Sequence, residues 1–177
     1  WRHVPGFDDL DGPVLHTTTF GTPPPLDGVG DDERAFLVFD GIFYTSDVWL
    51  DGAYLGDTEG YFFPHAFEVT EQLAAASEHR LVAEVACAPQ RDLAKKRNLT
   101  GVFQHWDCID PATNPGGIWR PVHVVRTGAV RIKHFRAICT EATETSATVA
   151  LRAVVDTPDA RPITLVTRVA DVERRFE

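Results

Sequence analysis

Apolar and polar residues alternate along most of this chain, and almost no stretch carries a helical period. Residues 34–40 and 45–50 are rich in Phe, Val, Ala and Trp with near alternation, which predicts two strands. Phe39, Asp40 and Gly41 mark a bend between them. Asp51-Gly52 follows Val48-Trp49-Leu50 directly, and such a pair accepts the positive φ angles of a tight two-residue hairpin. Residues 53–56 are then the return strand, Thr58-Glu59-Gly60 the next turn, and 66–69 another short strand. Residues 80–87 put Leu81, Ala83, Val85 and Cys87 on one face, the pattern of a core strand. Thr70 stands where an N-cap belongs and Glu71 in the first turn, so a short helix over 71–75 is expected, the only one in the chain.

The first 34 residues are turn-rich. Pro23-Pro24-Pro25 cannot belong to a paired central strand, which leaves extended coil and one strand near 14–20. Trp1, Phe7 and Phe20 are expected to seal the edge of a sandwich. Residues 118–126 read as a strand that Pro121 confines to an edge or a bulge. From Val130 onward aromatics thin out, and 130–139, 146–155 and 162–169 read as three further strands. The fold class is all-β, with Pro/Gly-rich turns selecting packed sheets over any α/β arrangement. The boundary falls near 127: a first sandwich over 1–127, able to close as a jelly roll, and a second over 128–177. Three strands fall short of the ~7 of an immunoglobulin-type sandwich, so the second domain reads as truncated.

Composition narrows the function. The 177 residues carry a net charge of −9, and no clustered Lys/Arg surface is written, which argues against a nucleic-acid partner. Lys95-Lys96-Arg97 is a short basic run of the kind found on solvated loops. No apolar run approaches the ~20 residues of a membrane span, and no signal peptide is visible. Three cysteines, odd in number and widely spaced, argue against a disulfide framework and for a reducing, cytoplasmic setting. The chain opens on Trp1 and holds no methionine, so a piece of a longer chain is expected.

The one chemically unusual stretch is 93–125, which crowds Phe103, His105, Trp106 and Trp119 among Asn, Asp, Gly and Pro. A loop this long is costly to order unless it packs on something or binds something. Glycoside hydrolysis needs two carboxyls about 5–9 Å apart; Asp107 and Asp110 are near in sequence but sit beside turn formers and suit local backbone bonds better. There is no Gly-x-Ser-x-Gly elbow, no Walker loop and no zinc spacing, although His105, Asp107 and Cys108 lie close together. No catalytic residue, metal or cofactor is expected. What remains is binding: sugars present C–H faces to rings and hydroxyls to carboxylates and amides. His105, Trp106, Asp107, Asp110 and Asn114 meet that description. Trp106 fits a sugar platform and a plug at the sandwich end equally well. Trp119, between Ile118 and Arg120, is expected in the core, and Tyr61, Phe62 and Phe63 in the core or in packing between domains.

FDGIFYTSDVWLDGAYLGDTEGYFFPHAFEVTEQL (residues 39–73), HRLVAEVACAP (79–89) and NPGGIWRPVHVV (114–125) together resemble the N-terminal domain of glycoside hydrolase family 2. The resemblance implies a galactose-binding-like jelly roll, then an immunoglobulin-like sandwich, then a catalytic barrel that this sequence does not contain. It implies a non-catalytic role beside a β-linked sugar substrate. The loop before Gly116-Gly117-Ile118-Trp119-Arg120 would supply His105, Trp106, Asp107 and Asp110 as substrate contacts. An independent carbohydrate-binding module and a purely structural packing domain are the alternatives.

Overall fold

The computed structural model describes residues 5–6, 12–87 and 116–177. Trp1, Phe7 and the stretch from Ala88 to Pro115 lie outside them. The chain divides into two compact units, with breaks after Gly28, Asp32 and Arg126.

In the larger unit, β1 (Val14–Gly21), β7 (Glu78–Ala86), β4 (Thr45–Leu50) and β5 (Ala53–Glu59) form an antiparallel sheet in the order β1-β7-β4-β5. A second sheet has the order β6 (His65–Glu68), β2 (Arg34–Phe39), β9 (Val122–Thr127). A two-residue ribbon, β3 (Ile42–Phe43) with β8 (Gly117–Ile118), completes it. The inner faces of both sheets meet in one core cluster: Leu37 and Phe39 of β2, Val48 and Leu50 of β4, and Leu81, Ala83 and Val85 of β7. This is an all-β sandwich, as the alternation predicts.

Strand β2 departs from simple alternation. Arg34, Ala35, Phe36, Leu37 and Phe39 are all buried, so both of its faces are covered. A continuous apolar run is what such a strand needs. Arg34 is tolerated because its guanidinium forks onto Glu68 (Nε to Oε1 2.9 Å, Nη2 to Oε2 2.7 Å) and lies 4.9 Å over the Phe36 ring.

The Asp51-Gly52 hairpin is as expected, with φ of 53° and 84°. β5 runs on to Glu59, further than its turn residues suggest, and Thr58 is buried within it. The helix α1 (Thr70–Ala75) is present, but Thr70 does not cap it. Val69 holds the cap position with no side-chain cap bond. The Thr70 hydroxyl instead accepts the Ala35 N–H at 3.0 Å, serving the neighbouring strand. A 3-10 turn at Gly30–Asp32 is a second helical element that the sequence reading lacked. The predicted strand 118–126 is split at Trp119–Pro121, where proline has no N–H to give; the Pro121 carbonyl still accepts from Asp40 N at 3.0 Å. The proline-rich coil after β1 is anchored by Arg126, which pairs with Glu33 and donates to the Pro23 carbonyl at 2.8 Å.

The smaller unit is two hairpins. β10 (Arg131–Ala142) pairs with β11 (Ala147–Asp156), and an Arg131–Asp156 ion pair of 2.7 Å fastens its open end. The last predicted strand starts only at Leu165, since Pro162 cannot join a ladder. It is β12 (Leu165–Val169), and it pairs with an unexpected β13 (Val172–Phe176) whose Val-Glu-Arg-Arg-Phe sequence gives little apolar alternation. Ile132, Phe135, Val149, Val166, Val172 and Phe176 all stand exposed on these hairpins.

Candidate functional site

The chain leaves the described residues after Cys87 and re-enters at Gly116. Both ends lie beside Phe43: Cys87 packs with it in a small buried cluster, and Gly117 pairs with it across β3 and β8. His105, Trp106, Asp107, Asp110 and Asn114 therefore lie outside the described residues, between two anchors that meet at one edge of the sandwich. What that edge presents is an aromatic cluster.

Tyr61 stacks at a tilt on Phe43 (4.9 Å between centroids), Tyr44 (6.0 Å) and Phe62 (4.4 Å). The Trp119 indole donates from Nε1 to the Tyr61 carbonyl at 3.0 Å and meets Phe62 edge-on at 6.0 Å. The Arg120 guanidinium covers it at 4.2 Å. Phe63 leans on His65, whose ring nitrogen lies 3.1 Å from the Gly60 carbonyl. Tyr44 donates its hydroxyl to Glu59 at 3.1 Å, and that bond to a carboxylate pushes the phenol pKa up. Tyr44, Glu59, Gly60, Tyr61, Phe62 and Phe63 line a shallow recess.

The expectation of a core Trp119 is corrected here: it is 37% exposed. Phe62 and Phe63 are 51% and 58% exposed, which removes the core half of their reading and leaves packing between domains as the other half. Side-chain size says these rings should go inside, but β3 and β8 are two residues long, and among the described residues no second sheet covers them. Backbone approaches make the cluster possible. A Cβ on Gly41 would stand 2.6 Å from the Trp119 indole nitrogen, and Gly60 has φ of 104° with the Phe63 ring where a Cβ would go. Gly41→Ala is accordingly expected to displace Trp119 and cost about 1–3 kcal/mol through overpacking. Indole fluorescence together with urea unfolding reads it, and an unshifted emission spectrum would count against the packing described.

Among the described residues Glu59 is the one carboxylate that lines the recess, where hydrolysis needs two. Cys87 is buried, and burial pushes its thiol up to about 12, which disfavours the thiolate. Among the described residues no group of three metal-ligating side chains comes together. No helix there is long and apolar enough to cross a membrane. A second concavity of about 450 Å³ opens between β1 and β9 over Phe20, Leu37, Leu81, Val122 and Val124. Its walls are mostly apolar, and desolvation lowers the pKa of His16 on its rim. Among the described residues that line it there is no carboxylate or side-chain amide for a sugar hydroxyl.

The fold is thus a galactose-binding-like β-sandwich with an aromatic edge. Residues 14–126 match the family described as glycosyl hydrolase 2 galactose-binding domain-like, and the chain belongs to that family. Among solved structures it is similar to a β-glucuronidase from Parabacteroides merdae (14% identity, TM-score 0.72, covering 99% of this chain and 23% of that one). It is also similar to a β-glycosidase from Bacteroides vulgatus (21%, TM-score 0.57, 86% and 17%). A third is the β-glucuronidase of Bifidobacterium dentium complexed with coumarin-3-O-glucuronide (21%, TM-score 0.58, 82% and 27%). This chain spans roughly a quarter or less of the length of each. Comparison with curated proteins found no match.

Proposed function

We propose that this chain is the non-catalytic N-terminal part of a family 2 exo-glycosidase, an enzyme that hydrolyses terminal β-glycosidic bonds. The observation that carries the reading is the match of residues 14–126 to the galactose-binding-like domain of that family. In this reading the sandwich packs beside a catalytic barrel supplied by further chain. Its aromatic edge helps to wall the sugar subsite, with His105, Trp106, Asp107, Asp110 and Asn114 as substrate contacts. The placement of both loop anchors beside Phe43, next to the exposed Phe62, Phe63 and Trp119, supports this. The smaller unit is the start of an immunoglobulin-like sandwich, a role supported by the exposed apolar side chains of its two hairpins.

Two measurements test the proposal. The pure 177-residue chain is expected to turn over no aryl β-glycoside, and sustained activity in it would end the non-catalytic reading. In the full-length enzyme, Trp106→Ala removes one ring–sugar contact of about 0.5–1.5 kcal/mol, so KM should rise about 2- to 10-fold with thermal stability unchanged. Lost stability without a change in KM would assign Trp106 to packing. Calorimetric titration of the isolated chain with galactose, mannose, glucuronate and cellobiose separates a subsite wall, which should give little heat, from a free-standing carbohydrate-binding module.

A further inference from the structure

We propose that His79 is held in the folded protein as a buried imidazolium, and that this charged ring, Asp51 and Thr22 form a proton-dependent clasp at the end of the sandwich away from the aromatic edge. The side chain of His79 is fully buried. Its Nδ1 lies 2.6 Å from Asp51 Oδ2, and its Nε2 lies 2.8 Å from the Thr22 hydroxyl. The Thr22 hydroxyl also lies 2.7 Å from the Ala76 carbonyl oxygen.

The donors can be counted. A carbonyl oxygen has no proton to give and a hydroxyl has one, so the short contact to Ala76 uses the Thr22 proton. The proton between Thr22 and His79 must then come from Nε2. At the other nitrogen, Asp51 accepts the Arg80 N–H on Oδ1 at 2.7 Å. The bond to His79, then the one to Arg80, hold its carboxyl below the usual range, so it is an anion and can only accept. Nδ1 therefore donates as well, and a ring that donates from both nitrogens carries a full positive charge.

The groups that face the ring are known from each element around it. The β4–β5 turn brings Asp51, the coil after β1 brings Thr22, the link from α1 to β7 brings the Ala76 carbonyl, and β1 brings the Phe20 ring at 5.5 Å. Glu78 and Arg80, beside His79 on β7, are exposed on the opposite face of the strand. Asp51 is thus the facing counter-charge among the described residues. The Thr–His–Asp order looks like a hydrolytic triad, but a ring already donating from both nitrogens has no lone pair with which to take a proton, so it is no general base.

The clasp joins three connections that are far apart in sequence. With a neutral ring, the single Thr22 proton could serve Nε2 or the Ala76 carbonyl, but not both. The charged ring is therefore what lets both bonds hold at once. The Asp51 carboxyl is depressed in the fold, so its contribution is full above the ordinary carboxylate range. That contribution disappears as pH falls through the folded value.

Nitrogen-15 NMR of the histidine-labelled 177-residue chain at neutral pH tests the clasp, with assignment from His79→Gln. Two protonated ring nitrogens on His79 are expected, and a neutral ring with one bare nitrogen overturns the proposal. Should His79→Gln not fold, the Thr22 variants decide it. Thr22→Ser keeps the hydroxyl and should preserve both ring protons. Thr22→Val removes the acceptor at Nε2, so that proton should exchange with solvent about 10-fold faster or be lost. Unchanged exchange in Thr22→Val also overturns the proposal.

Discussion

Phe39→Ala is expected to destabilise the sandwich by about 3–5 kcal/mol, the range for emptying a buried aromatic site. Phe39 is fully buried at the end of β2, where residues of both sheets converge, and the Phe67 ring meets it edge-on at 6.3 Å and 86°. Strands of an antiparallel ladder relax poorly, so a truncated ring leaves a void rather than a collapse. Against a domain stability of about 5–15 kcal/mol, one such loss is a large fraction and should move the urea midpoint far down. Phe39→Leu keeps most of the volume and should lose much less. A Phe39→Ala chain within about 1 kcal/mol of the parent would mean that the core does not close here as described.

The second large effect is expected for Glu68→Ala, at about 2–4 kcal/mol. The variant takes from the buried Arg34 guanidinium the carboxylate it forks onto, and breaking a buried pair from one side is costly. The lower half of the range is the better guide, because Glu68 is itself nearly half exposed and water can reach the gap. The double variant Arg34→Met, Glu68→Leu removes both charges and should recover most of the stability lost in Glu68→Ala. That recovery is the signature of desolvation rather than of lost packing. If Arg34→Met alone proves as stable as the parent while Glu68→Ala is also harmless, the pair contributes nothing, and the burial of Arg34 rests on Phe36 instead.

Much of the fold was legible before any coordinates, because the signals that specify a strand are local. The alternation in residues 80–87 puts Leu81, Ala83 and Val85 on one face whatever their partners. Asp51-Gly52 can make its turn without knowing which strands follow. The resemblance carried by the Asp51-Gly52 hairpin and the Gly116–Arg120 run identified the family that the comparisons show. Failures came where a residue had a choice that only distant neighbours decide. Thr70 had the chemistry of a cap, yet the Ala35 N–H, far away in the chain, competed for its hydroxyl and won. Strand β13 has too little apolar alternation to announce itself and forms against β12.

The candidate site divides in the same way. Its chemistry, large rings beside short polar residues, is written in the composition of the stretch between Cys87 and Pro121. The role of the rings is not written there, because a tryptophan has the same sequence signature in a core and on a rim. Hydrophobicity drives aromatics inward wherever a second surface exists to receive them. The chain alone determined that strands, a tight hairpin and an aromatic segment would form, since period, turn chemistry and side-chain size act over a few residues. Tertiary structure alone decided that Trp119, Phe62 and Phe63 stay at the edge, because β3 and β8 end after two residues and glycines at 41 and 60 let the rings lie against the backbone. It also decided that His79 meets Asp51 and Thr22, since side chains so widely separated along the chain share a hydrogen-bond network only once the sheets have closed.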